Sequence, residues 1–214
     1  MRFTRSRSAV AGVALAATAG IAAAAVPGTA ATSGGRAVHT HAELDPLNNS
    51  GASGKAHVRV QNRRLHVEVK AHGLAKGLPH AQHIHFGQKA RNECPTVGKD
   101  DTNGDIRLET GEGQPGYGPI RVSLTKRGDT SPASGLAVDR FPTAPRGHVD
   151  YDRHTKTSKE VARAIRRGKG VVVIHGVDYN GNGTYDFKGA GRSDLDPSLP
   201  SEATDPAVCG VLHR

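Results

Sequence analysis

Lys55-Ala56-His57-Val58-Arg59-Val60-Gln61-Asn62-Arg63-Arg64-Leu65-His66-Val67-Glu68-Val69-Lys70-Ala71 is two alternating runs joined by a polar triplet. Successive strand side chains point to opposite faces, so Ala56, Val58 and Val60 share one face, and Leu65, Val67 and Val69 share one face of the next run. Gln61-Asn62-Arg63 reads as the hairpin connection. Upstream, Val38, Thr40 and Ala42 alternate with His39, His41 and Glu43, and Asn48-Asn49-Ser50-Gly51 is a turn cluster. The first third therefore predicts an antiparallel meander with one buried face. His57 and His66 fall on its polar phase and read as solvent-exposed. His39 and His41 form a second His-x-His, an alternative ligand pair; their place near a loosely held end makes a structural or surface role the expectation.

Further along, Gly87 to Arg146 is rich in Gly, Pro, Asp, Asn and Thr, with one clear strand over Ile120 to Thr125. Thr157-Ser158-Lys159-Glu160 has capping-box spacing and predicts a short helix that buries Val161 and Ile165 and ends at Gly168. Val171 to Ile174 is β-branched and too short for a helix, hence a buried strand. A second loop spans Asp178 to Ser201, and a last strand runs from Ala207 to Leu212. The sum is an all-β chain, a β-sandwich or flattened barrel with one short helix and long loops.

Chemistry concentrates in His80-Ala81-Gln82-His83-Ile84-His85 and Val171-Val172-Val173-Ile174-His175. His83 and His85 lie two apart on a strand and aim at one point, and His175 is positioned to join them from a second strand. Three imidazoles suit copper, zinc, iron or nickel better than calcium or magnesium. A calcium loop is a separate expectation. Asp178, Asn180 and Asn182, with Asp186 at the ninth position, open like one, although Gly189 stands where a bidentate Glu belongs. Asp101, Asn103 and Asp105 form a shorter echo. Ser-His-Asp catalysis has no nucleophile-elbow motif behind it.

Arg2, Arg5 and Arg7 precede the uncharged, alanine-rich run Ala9 to Val26, and Thr29-Ala30-Ala31 offers small residues for cleavage. Residues 1–31 read as a secretory signal peptide and 32–37 as a flexible lead-in. The mature domain, 38–214, is then secreted, with no membrane association after cleavage. Cys94 and Cys209, the only two cysteines, read as one disulfide, as suits an exported protein. The formal charge of +9 falls to about +6 without the three leader arginines. Arg163, Arg166, Arg167 and Lys169 concentrate part of it on the helix. No aromatic residues interleave with these charges, so nucleic acid is not an expected partner.

Gly73-Leu74-Ala75-Lys76-Gly77-Leu78-Pro79-His80-Ala81-Gln82-His83-Ile84-His85-Phe86-Gly87 resembles the Gly-Leu…Gly-Leu-His-Gly-Phe-His-Ile-His segment of the copper/zinc superoxide dismutases. Val172-Val173-Ile174-His175 resembles that family's Val-Val-Ile-His strand. Cys94 and Val208-Cys209-Gly210-Val211 resemble its disulfide positions. The resemblance implies a Greek-key β-sandwich, copper held by His83, His85 and His175, and His80 as a structural residue pinning neighbouring loops. The meander, the His-Ile-His and the capped helix before a Val-x-Val-His strand also resemble the chordin-type (CHRD) domain.

Departures from the dismutase pattern are specific. No histidine occurs between Phe86 and Gly147, so the bridging histidine and the family's zinc site have no ligands in their places. The family's guiding arginine, three residues before the last cysteine, is Pro206 here. His148 or His154 is the nearest substitute for the missing ligand, and Arg146 or Arg192 for the missing charge. The expectation is a secreted copper-binding protein of dismutase-like fold with a degenerate site. Its partner is superoxide if turnover survives. The alternatives are copper storage or delivery, and a CHRD-like non-catalytic module contacting a cell-wall or matrix anion.

Overall fold

A computed structural model describes residues 35–214; the expected signal peptide and residues 32–34 lie outside the described residues. The meander forms as its alternation requires. Strands β1 (Val38–Pro46), β2 (Ser53–Gln61) and β3 (Arg64–His72) pair antiparallel, and the connections carry left-handed residues at Asn48, Asn49, Gly51 and Asn62. The remaining strands are β4 (Gln82–His85), β5 (Ile120–Ser123), β6 (Val149–Lys156), β7 (Val171–His175) and β8 (Pro206–Val211). Their order is β5-β4-β7-β8-β1-β2-β3-β6. β1 serves both halves. Val38–Leu44 pairs with β2, and Asp45 and Pro46 turn onto Cys209 and Val208 of β8.

The sheet curls into a flattened barrel. The seam between β5 and β6 is spanned by side chains: Tyr151 and Arg153 of β6 donate to the carbonyl of Thr125, just past β5, and Thr130 and Thr155 share a hydroxyl hydrogen bond of 2.6 Å. Around this ring, the β3–β4 connection passes β6 and β5, and the β6–β7 connection passes β5 and β4. Those two jumps make it a Greek key. Its interior is filled by the inward phase of the meander together with Ile84, Val122, Val172 and Ile174.

β6 was not expected as a strand. Val149-Asp150-Tyr151-Asp152-Arg153-His154 has the right period but little apolar content, and it is held by pairing along β3 from Arg64 to Ala71. The expected helix is Lys159–Arg166, here α3 in chain order. Its N-cap is Ser158 rather than Thr157, with Ser158 Oγ accepting from Val161 N. Four further short helices lie inside the long loops and correct the expectation of one helix: α1 (Val97–Asp100), α2 (Thr110–Tyr117), α4 (Phe187–Ala190) and α5 (Ser201–Thr204). α2 contains Gly111, Gly113, Pro115 and Gly116, all poor helix formers. It is held by a reciprocal Glu109–Glu112 capping box and by the Tyr117 hydroxyl donating to the Thr110 carbonyl. Among the described residues, no helix is long and apolar enough to cross a membrane.

Candidate metal centre

Every residue of β4 and β7 is buried, for two different reasons. Ile84, Val172 and Ile174 face the barrel core. His83 and His85, with Val171, Val173 and His175, take the opposite phase, outside the barrel and beneath the loops carrying α2 and α5. The antiparallel register sets His83 opposite Val173 and His85 opposite Val171. His175 continues that face, with its amide donating to Ala81. The three rings converge, with centroids 5.5 Å (His83–His85), 5.3 Å (His83–His175) and 6.2 Å (His85–His175) apart. Each offers a ring nitrogen within 4.8 Å of the other two.

In each ring one nitrogen is committed and the other is orphaned. His83 Nε2 donates to the Gly135 carbonyl at 3.1 Å, His85 Nδ1 to Gly118 at 2.8 Å, and His175 Nδ1 to Thr204. His83 Nδ1, His85 Nε2 and His175 Nε2 are buried without a partner. A donor fixed to a backbone carbonyl sets the tautomer and leaves the lone pair on the opposite nitrogen, which is how ligating histidines are oriented. Burial, the largest cause in every case, holds the rings neutral. His83 titrates well below the ordinary value of 6.5, with neighbouring His175 and His85 adding to the effect. His85 is lowered to about 3 and His175 to about 4. Neutral imidazoles with free lone pairs fit a late first-row metal ion.

The carbonyl acceptors all come from loops, and none was foreseen in the sequence. Gly118 sits at φ +84°, and an added Cβ would lie 2.7 Å from Gly87 N; that requirement for glycine was the one local signal available. The Thr204 carbonyl also accepts from the Thr110 hydroxyl at 2.6 Å. Arg107 Nη1 reaches from the first loop to Asp205 Oδ2 at 2.8 Å, tying the two covering loops together. Tyr117 lies 4.5 Å from His85, and Phe141 stands edge-on to His83 at 5.3 Å. The Cys94–Cys209 disulfide forms, closing a sequence separation of 115 residues. It fastens the α2 loop to β8 beside Tyr117, Val171 and Val173. His80 is fully buried, with Nδ1 against the His175 carbonyl at 2.8 Å and Nε2 against the Ala75 carbonyl at 3.1 Å, so its ring joins the β3–β4 connection to the end of β7.

Above the trio lies a pocket of about 80 Å³, room for a few water-sized groups. Its rim is apolar: Leu136, Val138 and Leu195 are 45%, 41% and 48% exposed. Among the described residues, no charged side chain lines it. His148 and His154, suggested as substitute ligands, are on the outer face of the meander half instead: His154 lies on β6, a strand and not a loop, and the exposed His148 immediately precedes that strand. Arg192 lies over Phe187 and donates to Pro197, and Arg146 is exposed; neither reaches the pocket.

The calcium-like residues share one loop, where their oxygens accept from that loop itself. Asp178 takes Asn182 N and Gly183 N, Asn180 takes Asn182 N, and Asp186 takes Lys188 N and the Asn182 amide. His57 is exposed and His66 half-buried, while His39 and His41 lie on the outer face of a well-formed β1. No protein-family model matches the chain and no curated protein matches it, so the reading of the site stands on its geometry.

Proposed function

We propose that the chain is an exported copper-binding protein of superoxide dismutase-like architecture, with the ion held by His83 Nδ1, His85 Nε2 and His175 Nε2. One observation carries the reading: three buried, neutral imidazoles converge, each with its outward nitrogen tied to a carbonyl and its inward nitrogen left without a partner. Leaving such groups unsatisfied costs about 1–3 kcal/mol each, a cost that a bound ion removes. Copper, when bound, would supply a one-electron couple. The chain's own contribution is to fix three tautomers, exclude charge and keep one apolar side open. Among the described residues no arginine or other charged group lines the pocket to steer or hold a small anion, so binding and retention of copper is favoured over rapid dismutation. The N-terminal arginine–alanine pattern and the disulfide support export.

Metal-free protein is incubated with Cu²⁺, desalted and analysed for tightly held copper. A raised Tm is expected, together with one ion per chain whose retention depends on the trio, because a ligand bound only to the native state stabilises it. His83→Gln keeps the donor to Gly135, and His85→Asn and His175→Asn keep the donors to Gly118 and Thr204; each deletes only the inward nitrogen. Each is expected to lose the ion. Retention by all three variants would overturn the assignment, and a copper-independent Tm would favour the non-catalytic CHRD-like module.

A further inference from the structure

Three histidine pairs face one another across neighbouring strands on the outer surface of β1, β2, β3 and β6. They are His41–His57, His66–His154 and His72–His148, with ring centroids 6.5, 4.2 and 6.4 Å apart. The middle pair combines with two carboxylates. His66 and Glu68 lie two apart on β3 and so project from one face, and directly opposite them in register stand His154 and Asp152 of β6. The four side chains occupy the corners of a rectangle on a rigid sheet. His66 Nε2 is 3.1 and 3.2 Å from the two Asp152 oxygens and 3.8 Å from Glu68 Oε1. His66, Glu68 and Asp152 each present a donor atom within 4.8 Å of the other two.

Donors bound tetrahedrally at about 2.0–2.1 Å from one ion are separated by about 3.3 Å, so small side-chain rotations close this set around a metal. Arg59, the cation opposite His66 on β2, is turned away to Gln61 Oε1 at 3.1 Å. We propose that His66, Glu68 and Asp152 form a second metal site for a borderline divalent ion, with Zn²⁺ as its probe, and that His154, its ring stacked on His66 at 4.2 Å, reports on the site without ligating. A mixed imidazole–carboxylate set selects such an ion over calcium or magnesium. The site is independent of the buried trio. It lies on the other half of the barrel, it is accessible to solvent, and it links β3 to β6, the strand that flanks the side-chain seam.

The test is calorimetric titration of metal-free protein with Zn²⁺, with His66 and His154 imidazole resonances followed in parallel. Wild type is expected to show two classes of site. His66→Asn/Asp152→Asn, on the surface, is expected to lose one equivalent and keep the other. His83→Gln/His85→Asn is expected to lose the opposite equivalent while Zn²⁺ still shifts the His66 and His154 resonances and raises the Tm. Unmoved His66 and His154 resonances, or an unchanged stoichiometry in His66→Asn/Asp152→Asn, would overturn the outer site whatever happens at the trio.

Discussion

Acidifying the metal-free protein tests how the trio is built. A histidine whose pKa is lowered on folding binds fewer protons in the native state than in the unfolded chain. The stability it contributes is complete above about 6.5 and is lost as the pH falls toward the folded value. At pH 5 an unfolded histidine is almost fully protonated, whereas His85, lowered to about 3, stays neutral in the fold. Integrating the proton difference from pH 7 to pH 5 gives about 2 kcal/mol for His85 and a similar amount for His175, lowered to about 4, and His83 acts in the same direction. Asp205 works in the opposite direction, because burial pushes its carboxyl up to about 7. A comparison between variants cancels it. Denaturant unfolding of wild type and His85→Asn, both with chelator, is run at intervals from pH 7 to pH 5. Wild type should lose about 2 kcal/mol more than the variant across that range. Parallel curves would refute the claim that burial keeps this ring neutral.

Other perturbations address the shell around the trio. Replacing both cysteines by Ser opens a closure of 115 residues and should lower stability by about 5 kcal/mol, an upper figure from chain entropy, measured by denaturant midpoint. Gly118→Ala forces a side chain into a left-handed position against Gly87 N and displaces the carbonyl that orients His85. Copper affinity in competition with a chromophoric chelator should fall by about 10–100-fold, with a smaller change in Tm. Arg107→Leu leaves the fully buried Asp205 without its cation; that carboxyl, already pushed up to about 7, then takes up a proton, so the loss should be about 1–3 kcal/mol, with Arg107→Leu/Asp205→Leu recovering part of it in the same unfolding assay. Leu195→Arg places a cation on the apolar rim. Any superoxide-consuming rate should then rise and become more sensitive to ionic strength, as followed by stopped flow at two salt concentrations.

Much of this molecule was legible one residue at a time. Alternation around Gln61-Asn62-Arg63 specified the meander and its buried phase, because strand period and turn chemistry are local properties. The spacing of His83 and His85 placed two imidazoles on one face for the same reason. β6 was missed because its period is carried by Val149 and Tyr151 alone, and its pairing along β3 is a long-range contact. The helix α2 was missed because its glycines and proline oppose a helix, and only the Glu109–Glu112 box and the covering loops hold it. The sequence by itself therefore determined which residue types share a strand face. It did not determine what lies over that face. The Gly118, Gly135 and Thr204 carbonyls come from loops distant in the chain, and only tertiary packing brings them to His85, His83 and His175. Burial and hydrogen-bond direction arise from whole surfaces meeting, so the tertiary structure alone decided that these three rings are neutral, oriented and turned inward.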